Sequence, residues 1–204
     1  MSNDGERRPE KKRPRAFVLN ILLTGAKGFT GRHFARAAEA AGHRVTPLMA
    51  NLLDPSALTT EISGLSPDAV VHLAGISFVG HHDPRAFYDV NLFGTLNLLD
   101  ALKRKTDSLR CVLLASSANV YGNSKAAPVK ETQPPEPLNH YAMSKLAMEH
   151  MARAHAEQLP TVFVRPFNYT GPGQVDSFLI PKMVSHFVRQ AKQIEHWNMY
   201  VERE

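Results

Sequence analysis

The sequence predicts an α/β fold, a doubly wound parallel sheet with helices on both faces, on three observations. Short runs that are apolar along their whole length alternate with longer segments of helical periodicity, at the spacing of strand–helix–strand units. Strands without a polar face belong to parallel sheets, where helices cover both sides. Size is the third: 204 residues with 43% hydrophobic content can bury one core without disulfides or a structural metal.

The elements follow in chain order. Residues 1–15 hold six basic and three acidic side chains and no hydrophobe between Met1 and Ala16, so this basic tail is expected to be disordered, as a solvated extension or a weak binder of anionic surfaces. Residues 17–23 read as a buried strand and 28–41 as a helix closed by Gly42, a candidate C′ glycine. Residues 44–48 form a second strand, and 55–63 a helix with Asp54 as N-cap and Pro55 at its first position. A third strand covers 69–73. The spacing of Leu92, Leu96, Leu99 and Leu102 predicts one helix over 84–105, capped by Asp83. Strand 110–116, a proline-rich loop over 121–139, helix 140–158 and strand 161–165 complete the series.

Composition narrows the function. The tail carries most of the formal +5 charge, which leaves a nearly neutral body and gives no reason to expect a nucleic-acid partner. No apolar stretch reaches membrane-spanning length and no apolar segment follows the N-terminal charges, so neither membrane nor secretory signal is expected and the compartment is read as cytoplasmic. Cys111 is alone inside an apolar run and reads as a small buried hydrophobe. His81-His82-Asp83 lacks further ligands at a recognisable spacing, so no metal is expected.

Two motifs carry chemistry. Thr24-Gly25-Ala26-Lys27-Gly28-Phe29-Thr30-Gly31 stands between the first strand and the first helix. Glycines there allow a tight turn and a close approach of backbone N–H groups to a pyrophosphate, which the helix N-terminus favours. An acid at the end of the second strand would select a ribose hydroxyl and a base a 2′-phosphate. Thr46-Pro47-Leu48-Met49-Ala50-Asn51 offers neither, so NAD and NADP stay open. Arg32 could meet a 2′-phosphate or stand as a solvated helix residue. The second motif is Tyr141-Ala142-Met143-Ser144-Lys145, whose i, i+4 spacing puts phenol and ammonium on one helical face. A lysine beside a tyrosine is expected to lower the phenol's pKa toward neutrality. Ser116-Ser117 ends the fourth strand, where the reacting groups of an open parallel sheet belong.

With His72-Leu73-Ala74-Gly75, Asn91-Leu92-Phe93-Gly94-Thr95, Ser116-Ser117-Ala118-Asn119-Val120-Tyr121-Gly122 and Arg165-Pro166-Phe167-Asn168, the sequence resembles the extended short-chain dehydrogenase/reductase superfamily over about residues 17–204. The resemblance implies a Rossmann-type sheet and a nicotinamide dinucleotide. It makes Ser117, Tyr141 and Lys145 the catalytic triad, with Asn91 in support. It sets Gly25, Gly28, Phe29, Thr30, Gly31, Asn51, Leu52, Leu73, Ala74 and Gly75 along the cofactor, together with Tyr141 and Lys145. His72 either joins them or is a satisfied strand-end histidine. Residues 165–178 look most like the GDP-6-deoxy-4-keto-mannose reductases, which implies a GDP-linked sugar held by Ser77, Ser117, Asn168, Gln174 and Arg203. Ala118 and Asn119 stand where dehydratases of the superfamily carry an acid, so dehydration is disfavoured.

The expected organisation is a dinucleotide-binding domain over 16–176 and, over 177–204, the start of a substrate-binding region that is largely missing. Relatives pair the helices carrying Leu92, Leu96, Leu99 and Met143, Leu146, Met151, which implies a homodimer. The implied reaction is NAD(P)H-dependent reduction of a 4-ketosugar, with a sugar-nucleotide 4-epimerase or a catalytically impaired dinucleotide-binding module as the other readings.

Overall fold

A computed structural model of the chain describes residues 17–105, 107–124, 127–191 and 193, so the basic tail and Arg203 lie outside the described residues. Among the described residues five strands form one wholly parallel sheet: β1 (Asn20–Thr24), β2 (Arg44–Pro47), β3 (Ala69–His72), β4 (Cys111–Ala115) and β5 (Thr161–Val164). Their order is β2-β1-β3-β4-β5, with Leu22 opposite Val70 and Val70 opposite Val112. The chain leaves β1 to one side and then returns past it to the other, the winding that leaves a crevice at the strands' carboxyl ends.

Alternation along the strands divides the core in two. Leu22, Val70, Val112 and Leu114 point to one side, where they pack with Leu58, Ile62, Leu98, Leu99, Leu102 and Met148. That side is covered by α2 (Pro55–Ser63), α4 (Gly94–Leu102) and α5 (His140–Ala152). Ile21, Leu23 and Val71 point to the other, under Phe34, Ala35 and Ala38 of α1 (Phe29–Ala40). The second face is less fully covered than the sequence predicts: Val162 of β5 is half exposed, and α6 (Leu179–Val188) has no buried residue.

Several boundaries move for identifiable reasons. The first strand begins at Asn20 because Phe17 and Val18 lie exposed, Phe17 facing the Arg110 guanidinium at 5.4 Å. Gly42 does close α1, at φ +89, with its N–H on Glu39 O and that of His43 on Ala38 O. Asp54 caps α2 through Ser56 and Ala57 N–H. The single helix expected over 84–105 is three pieces: α3 (Pro84–Phe87), a π-helical segment Tyr88–Phe93, and α4, followed by a 3-10 turn. One wider turn shifts the periodicity, so Leu98, Leu99 and Leu102 are fully buried while Leu92 and Leu96 are only partly so. Helix α5 likewise tightens into a 3-10 turn at Arg153–His155 before reaching Gln158.

Candidate active site

The loops at the carboxyl ends of the strands converge, beginning with the glycine turn. Gly25 adopts φ +69, and a Cβ there would lie 2.6 Å from Ala74 N and 2.8 Å from Leu73 C. A Cβ on Gly31 would stand 2.1 Å from Gly25 O. Only glycine lets the turn press this closely on the end of β3 and on itself. Gly28 caps α1 without a side-chain acceptor, so the first amides of the helix are left to an external anion. The turn is backed by Leu73 and Ala74 at the end of β3, and its chemistry, backbone amides at a helix N-terminus, suits an anion such as a pyrophosphate.

His72 is not part of that backing. It is buried at the end of β3, with burial, and then the Lys145 charge, pushing it down to about 3. Thr95 gives its proton to the Asn91 carbonyl, so His72 Nε2 donates to Thr95 Oγ1; with the ring held neutral by burial, Nδ1 accepts from Thr24 Oγ1, which itself takes Ala74 N–H. The satisfied strand-end histidine is therefore the reading that holds. Asn91, brought inward by the π turn, pairs with the backbone of Ile76, accepting from its N–H at 2.9 Å and donating to its carbonyl at 3.1 Å. Its amide also donates to Ser144 Oγ. A Cβ on Gly75 would meet Asn91 Oδ1 at 2.7 Å and Lys145 Nζ at 3.3 Å. Asn91 thus fixes the loop after β3 against α5.

Ser117, Tyr141 and Lys145 come together behind this loop. Asn139 caps α5 through Ala142 N–H, which starts the helix where Tyr141 and Lys145 both face inward. Lys145 donates to Ala115 O at 2.8 Å, and burial lowers its ammonium to about 8. Ser117 Oγ accepts Asn119 N–H at 3.2 Å, which leaves its own proton to turn toward the neighbouring Tyr141 phenol. The expected lowering of that phenol by Lys145 is corrected: burial pushes Tyr141 up, and the opposing influence is the Ser117 hydroxyl. The ammonium is committed to the Ala115 carbonyl and the Gly75 neighbourhood.

The sequence reading missed a charged lock beneath the triad. Glu149, one turn beyond Lys145, is fully buried and takes Arg165 Nε at 2.9 Å and Nη2 at 2.5 Å. Arg165 also donates to Tyr121 OH at 2.7 Å and lies over that ring. Burial alone would raise the Glu149 carboxyl, but the Arg165 bonds outweigh it and hold the group below its usual value. The signal was available: Tyr141, Lys145 and Glu149 share a face at four-residue spacing, and a carboxylate on a buried face requires a cation.

The remaining residues divide. Thr30 Oγ1 lies 2.7 Å from Tyr169 OH, and the Phe29 ring stacks on Tyr169. Arg32 neither reaches the end of β2 nor stands free: it donates to the Lys27 and Gly173 carbonyls. Asn51 is exposed after β2, whereas the Leu52 side chain is in the core beneath Gly94, leaving only its backbone toward that edge. Glu61 reaches the same edge, but the Met49 and Ala50 amides occupy both its oxygens. Ser77 and Asn168 are exposed on their loops, and Gln174 Oε1 accepts from Thr170. His81 and His82 stack at 4.9 Å, and no group of three or more metal-type side chains occurs among the described residues. No described helix is long and apolar enough to cross a membrane.

Comparison with known proteins adds family context. The chain is 38% identical over 187 residues to GDP-6-deoxy-D-talose 4-dehydrogenase of Aggregatibacter actinomycetemcomitans, covering 89% of the chain and 63% of the relative. It is 38% identical over 200 residues to GDP-6-deoxy-D-mannose reductase of Pseudomonas aeruginosa, covering 90% and 65%. The structure of RMD from Pseudomonas aeruginosa with NADPH matches at TM-score 0.76 and 36% identity, over 85% of this chain and 61% of that one. The chain therefore spans a little under two thirds of the length of these relatives. With the sheet order, the glycine cradle and the Ser-Tyr-Lys convergence already in place, a family model matching residues 21–202 makes the chain a member of the NAD dependent epimerase/dehydratase family.

Proposed function

We propose that the chain provides the dinucleotide site and catalytic triad of an NAD(P)H-dependent reductase acting on the C4 keto group of a GDP-linked 6-deoxysugar, of the GDP-4-keto-6-deoxymannose to GDP-rhamnose type. The observation that carries the reading is the convergence of Ser117, Tyr141 and Lys145 on the strand ends beside a glycine cradle suited to a pyrophosphate. The relatives named for GDP-6-deoxy sugars support the substrate class.

The glycine turn and the first amides of α1 would hold the pyrophosphate, with Leu73, Ala74 and Gly75 along the dinucleotide. When bound, a dihydronicotinamide supplies the hydride for C4. Tyr141, kept as a neutral phenol by burial, donates its proton to the developing alkoxide, and Ser117 orients the carbonyl oxygen. Lys145 stays largely protonated at pH 7 and, lying beside Gly75, would bind the ribose of the cofactor. Ala118 and Asn119, in the turn capped by Ser117, offer no acid or base for eliminating water.

Consumption of NADPH or NADH in proportion to product, with GDP-4-keto-6-deoxymannose as substrate, tests the reading. Tyr141→Phe is expected to lower turnover by at least about 10²-fold while dinucleotide affinity stays near normal. An active Phe variant overturns the assignment. Interconversion of sugar epimers without net oxidation of added cofactor would replace it with a 4-epimerase. We also propose a homodimer through the exposed Phe93, Met143 and Met151, which lie on the π turn and on α5 packed against it.

A further inference from the structure

The segment after β5 does more than present Asn168 and Gln174. Two strands, β3 and β4, separate β5 from β1, yet residues 169–173 reach back across the strand ends to the start of α1. Tyr169 OH lies 2.7 Å from Thr30 Oγ1 and its ring stacks on Phe29 at 6.2 Å. His33 Nε2 is 2.9 Å from Pro172 O, and Arg32 donates to Gly173 O at 3.0 Å. A Cβ on Gly171 would touch the Phe29 ring at 3.4 Å. The same segment holds the Thr170–Gln174 bond, and Phe178 at its end meets Phe78 edge-on at 6.2 Å, next to Ser77. These contacts are exposed or half-buried and none belongs to either core cluster, so they can form and part without unfolding the sheet.

Phe29 and Thr30 are residues of the glycine turn, while Asn168, Gln174 and Ser77 are where the sugar nucleotide is expected. Tyr169 stands between the two sets, bonded to Thr30 and stacked on Phe29 on one side and next in the chain to Asn168 on the other. We propose that Tyr169 is a positioning residue that couples the halves of the site: a dinucleotide on the glycine turn fixes Phe29 and Thr30, which hold residues 169–178 down and order Asn168 and Gln174 for the nucleoside diphosphate. The proposal rests on the reading of the glycine turn as a dinucleotide cradle. Coupling of this kind is reciprocal, so either ligand tightens the other.

Amide hydrogen exchange over residues 169–178 of the 204-residue chain, with calorimetry on the same samples, tests it. Saturating NADPH or NADH is expected to slow exchange in this segment by about fivefold or more. Tyr169→Phe keeps the stack on Phe29 and loses the hydroxyl; Thr30→Val removes the partner. Each is expected to reduce the protection to less than about twofold, and in Tyr169→Phe, which lies outside the glycine turn, dinucleotide affinity is expected to change little. A purely structural role would raise exchange equally with and without dinucleotide, leaving the ratio unchanged. That result, or a bound dinucleotide that leaves the segment's exchange unaltered, overturns the coupling. Calorimetry showing no dinucleotide binding overturns both the cradle and the coupling, and it separates that failure from the first.

Discussion

Lys145 holds a charge where the protein disfavours it. Its ammonium is buried with one hydrogen bond, to Ala115 O, and is lowered to about 8. A free lysine titrates near 10.4, so between about pH 8 and 10.4 the unfolded chain binds the extra proton and stability rises with pH across that window. Lys145→Met is therefore expected to stabilise the fold at pH 7 by on the order of 1–3 kcal/mol while removing activity. The gain should shrink as pH rises above 8, and urea unfolding at pH 7 and pH 10 checks both parts. A methionine variant less stable at pH 7 would mean that the Ala115 contact outweighs desolvation. The pairing of Tyr141 with Lys145 was legible in the sequence because it depends on helical spacing alone. The direction of the phenol's shift was not, because it depends on burial and on a serine 24 positions earlier.

Between elements, the Glu149–Arg165–Tyr121 lock joins the three pieces that carry chemistry: α5 with Tyr141 and Lys145, β5 leading to Asn168, and the turn after Ser117. Glu149→Gln removes one charge of a buried pair and leaves the Arg165 guanidinium short of its counterion, an expected loss of about 3 kcal/mol or more in urea unfolding. Adding Arg165→Met should recover part of that loss; full additivity of the two costs would show that the pair is not coupled. Such a lock is hard to read in advance because its members are 28 and 16 residues apart and meet only once the sheet has formed. The strands were easier, since an apolar run on consecutive positions such as Ala69, Val70 and Val71 of β3 has one structural explanation. The π turn at Tyr88–Phe93 was hidden for the opposite reason. It shifts a leucine stripe by one residue so that Asn91 can grip Ile76, and the benefit of that grip lies in a loop far from the stripe.

Across the whole molecule, the two faces of the sheet differ. The face under α2, α4 and α5 holds the larger core, and its helices still leave apolar side chains outward. Met143 and Met151 stand two turns apart on one side of α5, with half-buried Ala147 between them, and Phe93 projects from the neighbouring π turn at 53% exposure. Charged side chains flank rather than interrupt this surface: Asp100 pairs with Lys103 and His155, and Arg153 reaches toward Glu149. An apolar stripe with paired charges at its rim suits self-association, where desolvation of the centre drives binding and the rim sets register. Met151→Glu places two carboxylates against each other wherever the stripe meets its own copy, since an isologous contact doubles every substitution. The wild-type chain is expected to sediment as a dimer and this variant as a monomer with an unchanged unfolding midpoint at matched monomeric concentration. The site-forming loops lie at the strand ends, away from this stripe, so dinucleotide affinity should survive in the variant. A wild-type chain that sediments as a monomer would leave the stripe without this role.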